Sequence, residues 1–220
     1  MQIRYIRLFE LFKALSRFFT ASLLVFAVTQ IVEASERYPT EAEMQQLRSQ
    51  LSRRIRELRS GEFSAYLDDY RTEEERRQYQ EFVNVWSNVD STVTPFLGIW
   101  VGYEQSVSIY PSSIQGRVCI VDRNEIGFSG FAIGEVRNTR IRTSDRRFII
   151  RSGDYLGIAG IYNDQPFIGD EIPYKTPRPL SVPDLLTFTS EEPEFAEQAE
   201  QALQQFKAEG CLATSPTGDR

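Results

Sequence analysis

The feature that most constrains the fold is a change in the spacing of apolar residues near residue 95. Before that point, apolar residues recur every three or four positions, which is the period of an amphipathic helix. After it, they recur at every second position, and glycines and turn-forming pairs interrupt them, as in half-buried antiparallel strands. A chain in which helices come first and an antiparallel sheet follows belongs to the α+β class.

Two capping boxes predict where the N-terminal helices begin. Thr40 is followed at the third position by Glu43, and Thr72 by Glu75, so that each threonine can cap a backbone N–H while the glutamate reaches back. The first helix is predicted to end near Gly61 and to carry one narrow apolar stripe. The stripe consists of Met44, Leu47, Leu51, Ile55 and Leu58. Such a stripe docks on one surface, either the protein's own core or another chain.

Short strands follow the helices. Residues 101–109 are predicted to form the first strand, with Val101 and Val107 on the same face. Six or seven strands up to residue 169, joined by tight turns, predict an antiparallel meander that forms a small barrel or a curled sheet. A proline-rich stretch at 173–183 predicts an extended crossing to a C-terminal helix, which would start around Ser190 and stop at Gly210.

The N-terminal segment predicts export. It combines basic residues with a charge-free run at 18–32 and small residues just before position 35, which is the layout of a cleaved secretory signal. A retained anchor is the alternative, although the run is shorter than the roughly 20 residues of a membrane span. The predicted divisions are a signal peptide (1–34), a helical region (35–94), a β-rich domain with the C-terminal helix (95–213) and a disordered tail (214–220).

The mature protein is accordingly expected to be soluble and extracytoplasmic, either in a periplasm or in a thylakoid lumen if the host is phototrophic. In such a compartment Cys119 and Cys211, the chain's two cysteines, are predicted to form a disulfide; two separate thiols are the alternative. Two cysteines without any histidine do not complete a zinc site, so no metal is predicted.

The absence of histidine also excludes Ser-His-Asp and Cys-His catalysis. No glycine-rich segment matches a dinucleotide-binding loop, and no cofactor is predicted. Carboxylate chemistry stays open, because acidic residues follow several predicted strands, and a carboxylate-dependent hydrolase is therefore a third hypothesis. Its candidate residues are Asp154, Asp164, Asp170 and Glu171. The sequence as a whole favours a binding protein over an enzyme.

Charge limits the partners of that protein. With a net charge of −6, the chain is a poor ligand for nucleic acid, and none is predicted as a partner. Arginines nevertheless cluster in the first helix and in two predicted strands, where they form either a solvated surface or a docking face. We therefore expect an accessory protein that docks on a protein partner in an envelope or membrane complex. The docking candidates are Arg48, Arg53, Arg54, Arg56, Arg137, Arg140, Arg142 and Arg147.

A second hypothesis rests on three residues at the entry to the sheet. Gly98-Ile99-Trp100 resembles the Gly-x-Trp that opens lipocalin-type barrels, and the meander followed by a helix is similar in outline. The resemblance implies a carrier of a small apolar ligand, with Trp100 and Tyr103 lining the cavity. A match of three residues assigns no family.

Overall fold

The structure is a computed structural model that describes residues 37–62, 64–125, 127–169, 172–180 and 193–213, with only the backbone of 193–195. The predicted signal peptide, the predicted tail and part of the proline-rich crossing lie outside these ranges. The described residues from Tyr38 onward form one compact unit. None of the described helices is both long enough and apolar enough to cross a membrane.

Both N-terminal helices begin at the predicted capping boxes. Helix α1 spans Glu41–Ser60, and helix α2 spans Glu73–Val89. Thr40 accepts a hydrogen bond from the backbone N–H of Glu43 at 3.3 Å, and its own N–H donates to the Glu43 carboxylate at 2.8 Å. The second box makes the same two bonds, so both helix starts satisfy backbone donors that would otherwise lack partners.

Eight strands close into an antiparallel barrel, and a ninth strand pairs alongside one of them. The strands are β1 Gly98–Val101, β2 Gln105–Pro111, β3 Arg117–Asn124, β4 Gly127–Arg137, β5 Arg140–Thr143, β6 Phe148–Ser152, β7 Tyr155–Tyr162, β8 Gln165–Ile168 and β9 Tyr174–Arg178. Strands β1 to β7 form a meander, and β9 pairs with both β7 and β1 to close the ring. Strand β8 pairs only with β7 among the described strands. The predicted α+β barrel is confirmed.

The predicted count of six or seven strands is wrong, partly because residues 101–109 form a hairpin and not one strand. The N–H of Gly102 donates to the carbonyl of Gln105 at 2.8 Å, which makes a tight turn between β1 and β2. As a consequence Trp100, and not Val101, faces the barrel interior. Across this two-residue turn the inward positions change from even to odd numbers, because Trp100 pairs with Val107. The apolar residues Val101 and Tyr103 conceal this change in the sequence.

The proline-rich stretch accounts for another missed strand. It is extended, as predicted, but residues 174–178 also pair with their neighbours as β9. The pairing is sparse: β9 matches β1 only at Ile99 with Arg178 and at Val101 with Lys175, with an irregularity between. Because Pro177 has no N–H, it cannot donate to the ladder, and this limits the pairing of the closing strand.

Strand β4 runs through Gly134 without a break and turns only at Asn138 and Thr139. Glycine is needed there for packing. A Cβ atom on Gly134 would lie 2.3 Å from Cγ2 of Ile141 and 2.9 Å from Cγ2 of Val118. The glycine therefore marks a close approach of side chains inside the barrel and not a turn.

Side chains fill the barrel interior at one end, which we call the packed end and define by Phe96, Trp100, Gly134, Ile141 and Arg151; a cavity of about 540 Å³ borders Phe96 and Arg151 there. Trp100 is fully buried, and its indole N–H donates to the carbonyl of Phe96 at 2.7 Å. Ile141 is buried in the same cluster. Arg151 donates to the carbonyl of Pro95 at 2.7 Å across the base of the barrel. An eight-stranded barrel is just wide enough for its interior to be filled in this way.

Helix α1 covers the outer face of β6 and β7. Its buried stripe residues Met44, Leu47 and Leu51 join Phe148 and Ile150 in one apolar cluster. The stripe thus docks on the protein's own barrel and not on another chain. Burying each of these side chains stabilises the fold by about 1.5 to 3 kcal/mol relative to exposure.

The third helix, α3, spans Pro193–Ala208 and covers the outer face of β3 and β4. It ends before Gly210, which has a φ of +67° as a helix stop requires. The predicted start near Ser190 lies outside the described residues. The disulfide between Cys119 and Cys211 is confirmed; it joins β3 to the segment just after α3. Closing a loop of 92 residues contributes about 4 to 5 kcal/mol in the chain-entropy model.

Candidate functional site

The end of the barrel opposite the packed end contains a cavity of about 480 Å³, which we call the mouth cavity. Residues from β2, β3, β4, β7, β8 and β9 surround it, together with the β5–β6 turn, so its walls come from all around the barrel. Its lining includes Gln105, Asp122, Gly130, Phe131, Asp145, Arg147, Ile158, Gly160, Phe167 and Tyr174. This arrangement resembles the usual site for a ligand in a small barrel.

The deeper wall of the mouth cavity is apolar. Tyr174 is 3% exposed and belongs to the barrel core, while Ile158 is half-buried and packs against that core. Nearer to solvent, Phe167 is 42% exposed, whereas the ring of Phe131 packs outside the barrel against Phe206 of α3. Ile158, Phe167 and Tyr174 thus offer apolar contact to a molecule that enters from solvent.

Glycines keep this end of the barrel open. A Cβ atom on Gly130 would meet nothing closer than Asp122, at 3.4 Å, which is an ordinary contact. A Cβ atom on Gly160 would approach the ring of Phe167 to 3.1 Å. Any longer side chain at these two positions would take volume from the mouth cavity.

One arginine is held inside the mouth cavity by two carboxylates. Nε of Arg147 donates to Asp145 at 2.6 Å, and Nη2 donates to Asp122 at 2.5 Å. Asp145 in turn accepts a very short hydrogen bond from the hydroxyl of Thr143, which also donates to the backbone carbonyl of Arg147 at 2.8 Å. The guanidinium is therefore fixed in position by charge-assisted bonds.

These carboxylates also set the charge state of the arginine. Burial alone would lower the pKa of Arg147, but the hydrogen bonds and negative charges of Asp122 and Asp145 outweigh it, and the pKa is raised. Arg147 consequently remains a cation whenever the protein is folded. Its side chain is 28% exposed, so it presents a fixed positive group to the cavity.

A larger groove, of about 740 Å³, lies outside the barrel between α2 and the outer face of β1 and β2. Its lining includes polar side chains such as Gln78, Ser106 and Ser108. The mouth cavity is the stronger candidate site, because strands enclose it on several sides and it holds a fixed ion pair.

The predicted catalytic carboxylates are not brought together where the structure describes them. Asp154 lies at the start of β7 and Asp164 just beyond its end, which is roughly 25 Å of strand apart. Asp170 and Glu171 lie outside the described residues. Within the described ranges, no three Asp, Glu or Cys residues are grouped closely enough to hold a metal ion.

Two of the predicted docking arginines attach α1 to the barrel. Arg48 donates to the carbonyl of Asn138 at 3.0 Å and to the hydroxyl of Thr139 at 2.8 Å. Arg140 donates to both carboxylate oxygens of Glu41, at 2.6 and 3.0 Å. Both arginines thus serve the packing of α1 against the β4–β5 hairpin.

Two other arginines of the predicted sheet face have internal partners as well. The guanidinium of Arg142 lies 3.3 Å from the ring centroid of Tyr38, in a cation–π contact. Arg137 donates to the adjacent Glu135 at 2.8 Å and stays largely exposed. Arg147 lines the mouth cavity and so lies apart from Arg137, Arg140 and Arg142, which share the outer face of β4 and β5. A role of this outer face in docking stays a prediction.

The remaining candidates lie on the solvent side of α1. Arg53 and Arg56 are exposed, and Arg54 is half-buried. Arg53 has a long ion pair with Glu57 at 3.9 Å, one turn along the helix. Exposed pairs of this kind contribute little to stability. A docking role for these residues stays a prediction.

The two predicted ligand-cavity residues lie apart from each other. Trp100 is buried at the packed end, whereas Tyr103 lies in the β1–β2 turn and is 47% exposed. A hydrogen bond with Glu104 raises the pKa of Tyr103 to about 12. Its ring stacks edge-on against Tyr66, with centroids 5.1 Å apart. Neither Trp100 nor Tyr103 is among the described residues that line the mouth cavity.

Arg147 was predicted to lie on an outer face, as a docking residue or a solvated one, and Asp122 was not among the predicted site residues. Strand β3 is apolar on both faces, from Val118 to Val121, because α3 covers it outside and the barrel core lies inside. Its alternation therefore does not tell which way Asp122 points. One usable signal was the pair of glycines at 130 and 160, which mark places where side chains are kept out.

Comparisons with protein-family models, with curated proteins and with solved structures find no match for this chain. The chemistry of the mouth cavity is therefore the ground on which a function can be proposed.

Proposed function

We propose that this protein is an extracytoplasmic binding protein that takes one small, mainly apolar molecule into the mouth cavity. The observation that carries the proposal is the cavity of about 480 Å³ at the end of the barrel, in which Ile158, Phe167 and Tyr174 form an apolar wall near the fixed guanidinium of Arg147. Sites for small molecules commonly measure roughly 300 to 1,000 Å³ and combine apolar walls with a few well-placed polar groups. The barrel architecture also agrees with the resemblance to lipocalin-type carriers.

The disulfide supports the proposed extracytoplasmic location. Cys119 is fully buried and Cys211 nearly so, and disulfides of this structural kind persist in oxidising compartments. The predicted signal peptide at residues 1–34 points the same way. A carrier in a periplasm or lumen would meet its ligand in an aqueous space where an apolar molecule needs a host.

A fluorescent probe tests the proposal directly. Prodan, an uncharged naphthyl ketone, should bind the purified mature protein one-to-one, with a blue shift of its emission as it leaves water. The variant Gly130→Leu places a side chain inside the mouth cavity and should weaken this binding at least about tenfold, since it removes most of the burial. Far-ultraviolet circular dichroism checks that the variant is folded.

The matched control is Glu135→Leu, on the same strand but with an exposed outward side chain. It adds the same apolar side chain outside the barrel and should leave prodan binding unchanged. If prodan does not bind, or binds equally well to the folded Gly130→Leu variant, the mouth cavity is not a ligand site.

A second candidate function is docking on a protein partner through the solvent side of α1. The observation in its favour is that Arg53 and Arg56 are exposed there, while the opposite side of the helix is buried on the barrel. The double variant Arg53→Glu/Arg56→Glu should abolish co-purification of a partner from the native host and leave the thermal transition within a few degrees. Arg77→Glu, an exposed charge reversal on α2, is the control. A partner that remains bound to the double variant would count against this function.

A further inference from the structure

The donors of Arg147 are only partly used within the protein. A guanidinium has five N–H groups. In Arg147 the edge formed by Nε and Nη2 is bonded to Asp145 and Asp122. Among the described residues, Nη1 has no hydrogen-bond acceptor. The open edge of a fixed cation is thus left for something that occupies the mouth cavity.

The lining of the mouth cavity is balanced in charge. Of the described residues that surround it, Arg123 and Arg147 are positive, and Asp122 and Asp145 are negative. A negatively charged ligand would gain from Arg147 but would approach two carboxylates that already bond it. A positively charged ligand would meet the guanidinium at the open edge. The balance therefore favours a ligand without net charge.

A pure hydrocarbon fits less well than a neutral molecule with an acceptor. Covering Nη1 with a hydrocarbon would remove its water without giving it a partner, and an unsatisfied donor of a charged group is costly. A carbonyl oxygen on the ligand would restore the bond. The apolar side chains of Ile158, Phe167 and Tyr174 would hold the remainder of the molecule.

We infer that the ligand is an uncharged molecule with an apolar ring or chain whose carbonyl oxygen accepts a hydrogen bond from Nη1 of Arg147. The chemical class is that of ketones, esters and amides of modest size, and it excludes free fatty acids and other carboxylates. This inference rests on the proposed function, since it names what the mouth cavity selects.

Three naphthalenes that differ in one substituent at the same ring position test the inference. Acetylnaphthalene carries a neutral carbonyl, ethylnaphthalene has no acceptor, and naphthoate is an anion. Their dissociation constants are measured by isothermal titration calorimetry on the full mature protein. Acetylnaphthalene should bind at least about tenfold more tightly than either of the others, which is the factor expected for one hydrogen bond to a charged donor.

Two variants test whether a preference for acetylnaphthalene depends on Arg147. Arg147→Met removes the donor but leaves Asp122 and Asp145 without their partner, so it can unfold. Arg147→Met/Asp122→Leu replaces the pair by apolar side chains, which proteins often tolerate. In the folded variant the preference for acetylnaphthalene over ethylnaphthalene should disappear, and ethylnaphthalene should bind at least as well as it does to the wild type.

The possible outcomes distinguish failure of the inference about Arg147 from failure of the proposed function. Similar affinities for all three compounds, tighter binding of naphthoate, or a preference that survives in the folded double variant would overturn the inference but leave the mouth cavity as a ligand site. No binding of any of the three compounds, together with no binding of prodan, would overturn the proposed function as well.

Discussion

At the packed end of the barrel Trp100 and Ile141 are fully buried, whereas at the mouth Arg147 keeps 28% of its side chain exposed and Phe167 keeps 42% of its surface exposed. The same strands run through both ends. Strand β4 contributes Gly134 to one and Gly130 to the other, on the same inward face. The two ends show that one set of strands can enclose a tightly packed core at one end and an open cavity at the other.

The two inward arginines beside β6 differ in their partners. Arg151, at the packed end, donates to the backbone carbonyls of Gly153 and Pro95, at 2.6 and 2.7 Å. Arg147, at the mouth, is held among the described residues by two carboxylates. One arginine therefore ties backbone segments together, while the other is fixed by charged side chains beside the mouth cavity.

The largest expected effect comes from truncating the packed end. Trp100→Ala removes a buried ring and the hydrogen bond to Phe96, so the free energy of unfolding should fall by about 4 kcal/mol. Phe167→Ala, at the mouth, should cost less than about 1 kcal/mol because the ring is partly exposed already. Urea denaturation measures both. Equal losses would mean that the two ends do not differ in packing.

Replacing each inward glycine of β4 by alanine compares the two ends of the barrel through the addition of one methyl group. Gly134→Ala places a Cβ atom 2.3 Å from Cγ2 of Ile141, and a β-branched neighbour cannot move away easily, so we expect a loss of about 3 kcal/mol. Gly130→Ala has an ordinary contact at 3.4 Å and should change stability by less than about 1 kcal/mol. Thermal denaturation of the two variants gives the answer. A well-tolerated alanine at 134 would contradict the description of a filled interior.

The smallest expected effect distinguishes the arginines. Arg151→Met breaks two hydrogen bonds to backbone carbonyls and should lower the free energy of unfolding by about 1 to 2 kcal/mol. Prodan binding should not change, because Arg151 lies at the other end of the barrel from the mouth cavity. A large loss of probe affinity in the folded Arg151→Met protein would mean that the ligand site lies at the packed end.

Local features of the chain were readable from the sequence. The capping boxes at Thr40 and Thr72 located both helix starts, because a cap depends on residues only three positions apart. The stripe from Met44 to Ile55 identified the buried side of α1. The disulfide between Cys119 and Cys211, predicted from the expected oxidising compartment with two separate thiols as the alternative, is confirmed.

The sequence did not predict which side chains face the interior of the barrel and which face its exterior. The hairpin at Gly102 separates Val101 from the face of Val107, on which it was predicted, and the helices on the outside make several strands apolar on both faces. The direction in which Asp122 points depends on this wrapping. For the same reason the predicted arginine face separated into residues that dock α1, such as Arg140, and one that lies inside the barrel.

The sequence by itself determined the helices, their caps, the α+β class and the disulfide, because each depends on local spacing or on composition. Only the tertiary structure decided that the barrel closes through the proline-containing strand β9, and that Asp122, Asp145 and Arg147 meet in the mouth cavity. The physical reason is that closure and facing depend on register between strands far apart in the chain, and a shift of one residue would turn each side chain to the opposite face.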